Sequence, residues 1–185
     1  MSSRRLVLPI VVLAAILVGC SGDGDSAATT APDVTICDPD GTAQAEADLP
    51  AVGRISEAIE ALEQQLGAPQ QYFEVNATAR VVNLFVALNN ATLAQAWLYL
   101  DGEFTSQEAQ AASGGTFGAD AVAFDPERVL TRVRTEVPEA VIESFYVHGD
   151  GKGNVQYGVL ASALCGGGLD VVVGPDGSVK SVDPV

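Results

Sequence analysis

The chain has 185 residues, with 24 acidic and 9 basic side chains and a formal net charge of −15. So acidic a surface repels phosphate groups, which argues against nucleic acid as a partner and makes basic proteins and divalent cations better candidates. The interpretation we favour is that the acidic surface keeps a secreted protein soluble. The length allows one domain or two small ones, and it suffices for a hydrophobic core without help from metals.

The start of the chain has the pattern of an export signal. Arg4 and Arg5 are followed by an uncharged apolar run over residues 6–18. This run is shorter than the roughly twenty residues that a helix needs to cross a bilayer. It therefore predicts a signal peptide over residues 1–19 rather than a permanent transmembrane helix.

The apolar run ends in Leu17-Val18-Gly19-Cys20, which resembles the bacterial lipobox. The resemblance implies that the Cys20 thiol takes a diacylglycerol, that the chain is cut before Cys20, and that the new amino group is open to acylation. Two or more acyl chains anchor a protein stably to a membrane. Residues 21–32 are small and polar and include a proline. We therefore expect residues 20–36 to form a flexible tether on the extracytoplasmic face of the cell membrane.

Three cysteines are present, and lipidation of Cys20 leaves Cys37 and Cys165. Two cysteines in an oxidising compartment usually pair, so we predict a Cys37–Cys165 disulfide. Closing so long a loop contributes up to about 5 kcal/mol in the chain-entropy model. The alternative is a reactive or metal-binding thiol, against which the lack of a neighbouring histidine argues.

Residues 37–104 are predicted to form a first unit of one helix and three strands. Apolar residues recur at three- and four-residue steps from Leu49 to Leu66, which indicates a helix that ends at Gly67. Segments rich in β-branched and aromatic residues follow and predict strands at residues 71–78, 80–89 and 95–100.

Residues 105–124 are rich in Ala, Ser and Gly and are predicted to be a linker. Residues 125–185 then form a second unit with the same order. Asp125 is suited to cap a helix that begins at Pro126 and ends before Pro138. Strands are expected at residues 141–148, 155–165 and 169–173.

The two units predict an α+β fold, with an antiparallel sheet and both helices on one face. Helix followed by a three-stranded meander, with strand and turn at residues 97–102 and again at 171–177, looks like the PepSY domain. Tandem copies also resemble secreted β-lactamase-inhibitor proteins. The resemblance implies binding of proteins outside the cell rather than catalysis, and it assigns no site residues.

His148 is the only histidine, and a catalytic triad or a zinc site would have to use it. It lies at the end of a predicted strand beside a glycine-rich turn, so we expect an exposed residue without a catalytic role. Gly166-Gly167-Gly168 lacks the Lys-Ser/Thr that follows in a phosphate-binding loop. We therefore predict no enzyme activity, no metal and no cofactor.

Arg128 and Arg132 lie four residues apart on the second predicted helix. They could form a patch for an anion or a partner. The interpretation we favour is that they pair with Glu127, Glu136 or Glu139 on a solvated helix face.

These patterns together predict a lipid-anchored, non-catalytic binding protein of the cell envelope, with another envelope protein as its partner. Two alternatives stay open at this point. One is a carrier of an apolar ligand such as a lipid, held between the helices and the sheet. The other is a hydrolase that uses a pair of carboxylates.

Overall fold

The computed structural model describes residues 49–138, 140–163 and 166–185. They belong to one folded unit and form a single sheet of ten strands and two α-helices, an arrangement that fits the α+β class. The predicted signal peptide and tether, together with Cys20, Cys37 and Cys165, lie outside these residues.

The first helix, α1, spans Ile55–Leu66 and follows a 3-10 turn at Val52–Arg54. It begins later than the apolar spacing predicts, because the Ala51 N–H donates to the Thr78 carbonyl (2.8 Å) and thereby ties the preceding segment to the end of a strand. The helix ends at Gly67, whose left-handed backbone lets its N–H close the last turn, as predicted.

The second helix, α2, spans Pro126–Glu136. The Asp125 carboxylate accepts a hydrogen bond from the Arg128 N–H (3.1 Å), and proline occupies the first turn, so the predicted cap is confirmed. Neither helix in the described part of the chain is long and apolar enough to cross a membrane.

The six predicted strands are present with small changes of boundary. In the first half they are β1 (Gln71–Ala77), β2 (Val82–Leu88) and β3 (Leu93–Leu100). In the second half they are β7 (Ala140–Gly149), β8 (Val155–Ala163) and β9 (Gly168–Val173).

Four further strands were not predicted. They are β4 (Glu103–Ser106), β5 (Gln110–Ala111), β6 (Phe117–Gly118) and β10 (Val179–Pro184). Three of them lie wholly or partly in the segment 105–124, so the predicted linker contains short strands that add to the sheet. The turn at Asp101-Gly102 has positive φ at both residues, which suits a tight hairpin and directs the chain back along β3.

The strands follow the order β10-β9-β8-β7-β1-β2-β3-β4, and β5 and β6 add to β3 and β1. All pairs are antiparallel. The two halves meet at the β1–β7 pair, where Val75 lies opposite Val147 and Ala77 opposite Phe145. One continuous sheet therefore connects them.

The hydrophobic core lies between the helices and one face of the sheet. Ile55 and Leu62 of α1 and Val129 and Val133 of α2 are fully buried. They share the core with alternate strand residues, among them Val75, Leu84, Phe145, Val159 and Val171. Full burial of each such apolar side chain contributes roughly 1.5–3 kcal/mol. Both helices therefore cover the same face.

Candidate functional site

The sheet face turned away from the helices is here called the open face. Residues paired in an antiparallel register share a face, and neighbours along a strand alternate between faces. Since Val75 and Val147 point into the core, the adjacent pairs Glu74 with His148 and Asn76 with Tyr146 lie on the open face. The same alternation extends the open face to both sheet edges through Asn83, Phe85, Ala94, Ala96, Leu98, Glu103, Glu143, Gln156, Leu160, Asp170, Val172 and Asp183.

Every carboxylate of the ten described strands lies on the open face: Glu74, Glu103, Glu143, Asp170 and Asp183. The same strands contain no arginine and a single lysine, Lys180 in the edge strand β10. Asp170 and Asp183 stand directly opposite each other. Like charges in that position destabilise a sheet, so a cation near them is favoured.

Tyr146 links three strands of this face. Its ring lies across Gly158 of β8, where a Cβ would overlap the ring, and its hydroxyl donates to Asp170 Oδ1 on β9 (2.7 Å). Burial, and then the hydrogen bond to Asp170, raise the pKa of Tyr146. The hydroxyl therefore stays protonated and acts as a fixed donor that orients the Asp170 carboxylate.

His148 is half-buried within β7, and its ring stacks on Tyr146 with 5.3 Å between ring centroids. The expectation of an exposed residue is therefore wrong, because the neighbouring tyrosine ring covers one face of the imidazole. Within the described residues, its ring takes part in no hydrogen bond. A triad would need such bonds to a nucleophile and an orienting carboxylate.

A chain of amide hydrogen bonds continues the polar surface across β1 and β2. The Asn83 side-chain amide donates to Asn76 Oδ1 (2.8 Å), and the Asn76 amide donates to Glu74 Oε1 (2.6 Å). At the bulge in β7, the Ser162 hydroxyl donates to Glu143. Three of the five carboxylates are thus held in place by neighbouring donors.

Apolar side chains occupy the other part of the open face. A pocket of about 250 Å³ has Phe85, Ala94 and Ala96 at its base, and it is bordered by Gln107, Glu108, Gln110 and Ala111. Leu160 is 40% exposed on β8. Half-exposed apolar side chains bordered by polar groups resemble the apolar centre and polar rim of a protein–protein interface.

The Arg132 side chain forms ion pairs with other residues of the same domain. Its guanidinium pairs with Asp176 Oδ2 (2.6 Å) and with Glu136 (3.5 Å), which holds the β9–β10 turn against α2. Arg128 is exposed and borders a shallow hollow with Glu127. Glu139, the third acid considered for pairing, lies outside the described residues.

In the described segments, no group of three or more His, Cys, Asp or Glu side chains is arranged to hold a metal ion. Comparison with known protein families, curated proteins and solved structures found no match for this chain. The fold and site define an α+β domain with one helix-covered sheet face and one uncovered, acidic face.

Proposed function

We propose that this chain is a lipid-anchored binding protein on the outer side of the cell membrane, and that its open face contacts a basic segment of another envelope protein. One observation carries the proposal. All five strand carboxylates lie on the open face, whereas the strands contribute a single lysine and no arginine in the described residues.

The charge distribution favours a cationic partner for a physical reason. A surface of one charge attracts opposite charges over a distance comparable to the Debye length and raises the association rate. A basic partner also relieves the repulsion between Asp170 and Asp183, which face each other across β9 and β10. The apolar side chains on the same face then contribute contact area.

A binding role also accounts better than catalysis for the polar residues of the face. The Tyr146 hydroxyl and the Asp170 carboxylate are engaged with each other, and the His148 ring stacks on the tyrosine. Fixed carboxylates on a rigid sheet provide directional acceptors without a further reorganisation cost on binding.

The anchor is part of the same proposal. Cys20 carries the lipid, and the mature chain begins there. Labelling cells with radioactive palmitate should mark the wild-type protein and leave the Cys20→Ser variant unlabelled and uncleaved. A protein that takes up no label, or whose Cys20→Ser variant is labelled equally, would contradict the anchor.

We also infer that the two halves arose by duplication of one helix-and-meander unit related to the PepSY domain. What supports this is the order of elements. Each α-helix is followed by a meander of four strands, the first strands of the two meanders pair at the centre, and their last strands form the edges.

Binding of defined peptides tests the contact chemistry. The probes are a Gly/Ser peptide with several lysines and its counterpart with glutamates in the same positions. The variant Glu74→Gln/Glu143→Gln/Asp170→Asn keeps all three acceptor oxygens and removes three charges from the open face. Its matched control, Asp101→Asn/Asp120→Asn/Glu127→Gln, removes three charges from exposed positions outside the open face.

We expect the full chain to bind the lysine peptide and not the glutamate peptide. The open-face variant should weaken binding about tenfold, and the control variant by less than about threefold. Equal weakening by both variants would mean that only net charge matters. That result, or no binding of the lysine peptide, would refute the proposed contact.

A further inference from the structure

A separate cleft of about 550 Å³ lies on the helix side of the sheet. It runs between α1 and the 3-10 turn Ala119–Ala121. Ile59, Ala119 and Val122 give it apolar walls, and Pro69 lines it beyond the end of α1. The volume lies in the range of sites that take small organic molecules.

The cleft carries negative charge and no compensating cation. Glu60 and Glu63 line it, whereas none of its lining residues is lysine, arginine or histidine. Its two carboxylates are adjacent on one helix wall rather than facing each other across the cleft. This geometry does not resemble the paired acids of a hydrolase, which flank the bond they cleave.

Glu63 is held in a fixed orientation. Its Oε1 accepts the Gln70 N–H (2.9 Å) and the hydroxyl of the fully buried Tyr72 (3.3 Å). Burial, and then the nearby Glu63 charge, raise the pKa of Tyr72, so this hydroxyl stays a donor. In the described chain, no donor reaches Glu63 Oε2, which leaves that oxygen available to a ligand.

Glu60 has a weaker restraint of the same kind, because the Gln64 side-chain amide donates to its Oε1 (3.2 Å). An uncharged acyl chain in the cleft would remove water from these carboxylates without replacing its hydrogen bonds, which is costly. An anion would be repelled. The lining therefore selects for positive charge combined with an apolar body.

We propose that the α1 cleft binds a small organic cation with an apolar body, of the alkylammonium or arylalkylammonium class. The ammonium group donates to Glu63 Oε2 and lies near Glu60, while the hydrocarbon part covers Ile59 and Val122. The site is independent of the open face, so either assignment can fail without the other.

Calorimetric titration of the full-length chain tests the cleft with three probes of similar shape. They are phenethylammonium, its neutral counterpart 2-phenylethanol, and the anion 3-phenylpropionate. We expect saturable binding of the cation, with the neutral probe weaker by about tenfold because it cannot form a charge-assisted hydrogen bond. The anion should not bind.

Three variants locate the site. Glu63→Gln keeps the acceptor for Gln70 and Tyr72 and should weaken binding of the cation about tenfold. Ala119→Leu fills the cleft and should weaken the binding of both the cation and the neutral probe. Glu127→Gln, which removes an exposed charge from α2 and lies outside the cleft, should leave the affinity unchanged.

Three results would overturn the assignment. One is a cation that binds no better than 2-phenylethanol. Another is undiminished binding to folded Glu63→Gln, and the last is undiminished binding to folded Ala119→Leu. A lysine peptide that binds the cleft more tightly than phenethylammonium would also refute a small-molecule site, because the occupant would then be a protein side chain.

Discussion

Gly158 and Tyr146 form a pair that organises the open face. They lie directly opposite each other on β8 and β7, and the missing side chain at Gly158 lets the tyrosine ring cross to Asp170. Both residues lie within strands that were predicted from the sequence. Their contact depends on the register between β7 and β8, and the sequence analysis predicted the two strands without predicting that register, so the contact was missed.

For His148 and Arg132, too, the sequence predicted the element but not every contact. The sequence placed His148 in a strand and Arg132 on a helix, and both placements are right. The predicted pair of Arg132 with Glu136 is present (3.5 Å), whereas the stacking of His148 on Tyr146 and the ion pair of Arg132 with Asp176 were not predicted. Asp176 follows Arg132 by 44 residues, far beyond the helix spacing that guided the pairing prediction.

Asp176 gives a pH-dependent prediction. Hydrogen bonds from the Ser178 hydroxyl and N–H, assisted by Arg132, lower the pKa of Asp176 from 3.8 to about 2. Since the folded pKa is depressed, this contribution to stability is complete above the unfolded value of 3.8 and is lost as the pH falls through about 2. Asp176→Asn should therefore lower the melting temperature near neutral pH and have a smaller effect near pH 2.

Thermal melts of wild type and Asp176→Asn across that range measure the difference. Ser178→Ala removes the largest cause of the shift and should reduce the pH dependence as well. A gap between wild type and Asp176→Asn that stays constant down to about pH 2 would show that the charge of Asp176 is irrelevant to stability.

At the scale of elements, the turn between β9 and β10 packs closely against α2. Gly177 has a φ of 80°, and a Cβ there would lie 2.7 Å from the Val129 Cα. The Asp125 N–H also donates to the Pro175 carbonyl (3.3 Å). The turn thus needs glycine both for its backbone conformation and for its approach to the helix.

Gly177→Ala should reduce the free energy of unfolding by about 2–4 kcal/mol. The alanine would be strained in the left-handed backbone conformation, and its Cβ would also overlap Val129. Gly153→Ala is the matched control. Gly153 has a φ of 89°, and a Cβ there would have no atom within 4 Å, so strain alone should cost about 1 kcal/mol. Urea unfolding of both variants gives the two values, and equal losses would contradict a tight contact with α2.

The elements predicted best were those with a strong internal pattern. Apolar spacing and end signals found both helices, and runs of β-branched and aromatic residues found six strands. The strands β4 and β10 were missed because they lie at the sheet edges and consist largely of polar residues such as Glu103, Thr105, Lys180 and Asp183. Edge strands in proteins often carry such charged residues and therefore lack the apolar pattern of interior strands.

At the scale of the whole molecule, the sequence predicted an α+β fold with an antiparallel sheet, and both are present. It could not identify the central β1–β7 pair, since residues 78–139 separate those strands along the chain. The acidic open face was missed for a related reason. Its five carboxylates are scattered from residue 74 to residue 183 and converge only when the sheet forms.

The central claim is that the open face, and not the helix side, contacts a basic envelope protein. Two leucines of equal exposure provide a direct test: Leu160 on the open face is 40% exposed, and Leu66 at the end of α1 is 39% exposed. A photoreactive amino acid is placed at each position in turn, and crosslinks are formed in intact cells and identified by mass spectrometry.

We predict that position 160 captures one basic protein reproducibly, that position 66 does not capture it, and that the Glu74→Gln/Glu143→Gln/Asp170→Asn background lowers the yield of the adduct severalfold. Capture of the same protein from both positions, an adduct whose yield is undiminished by loss of the three charges, or no adduct from position 160 would contradict the account.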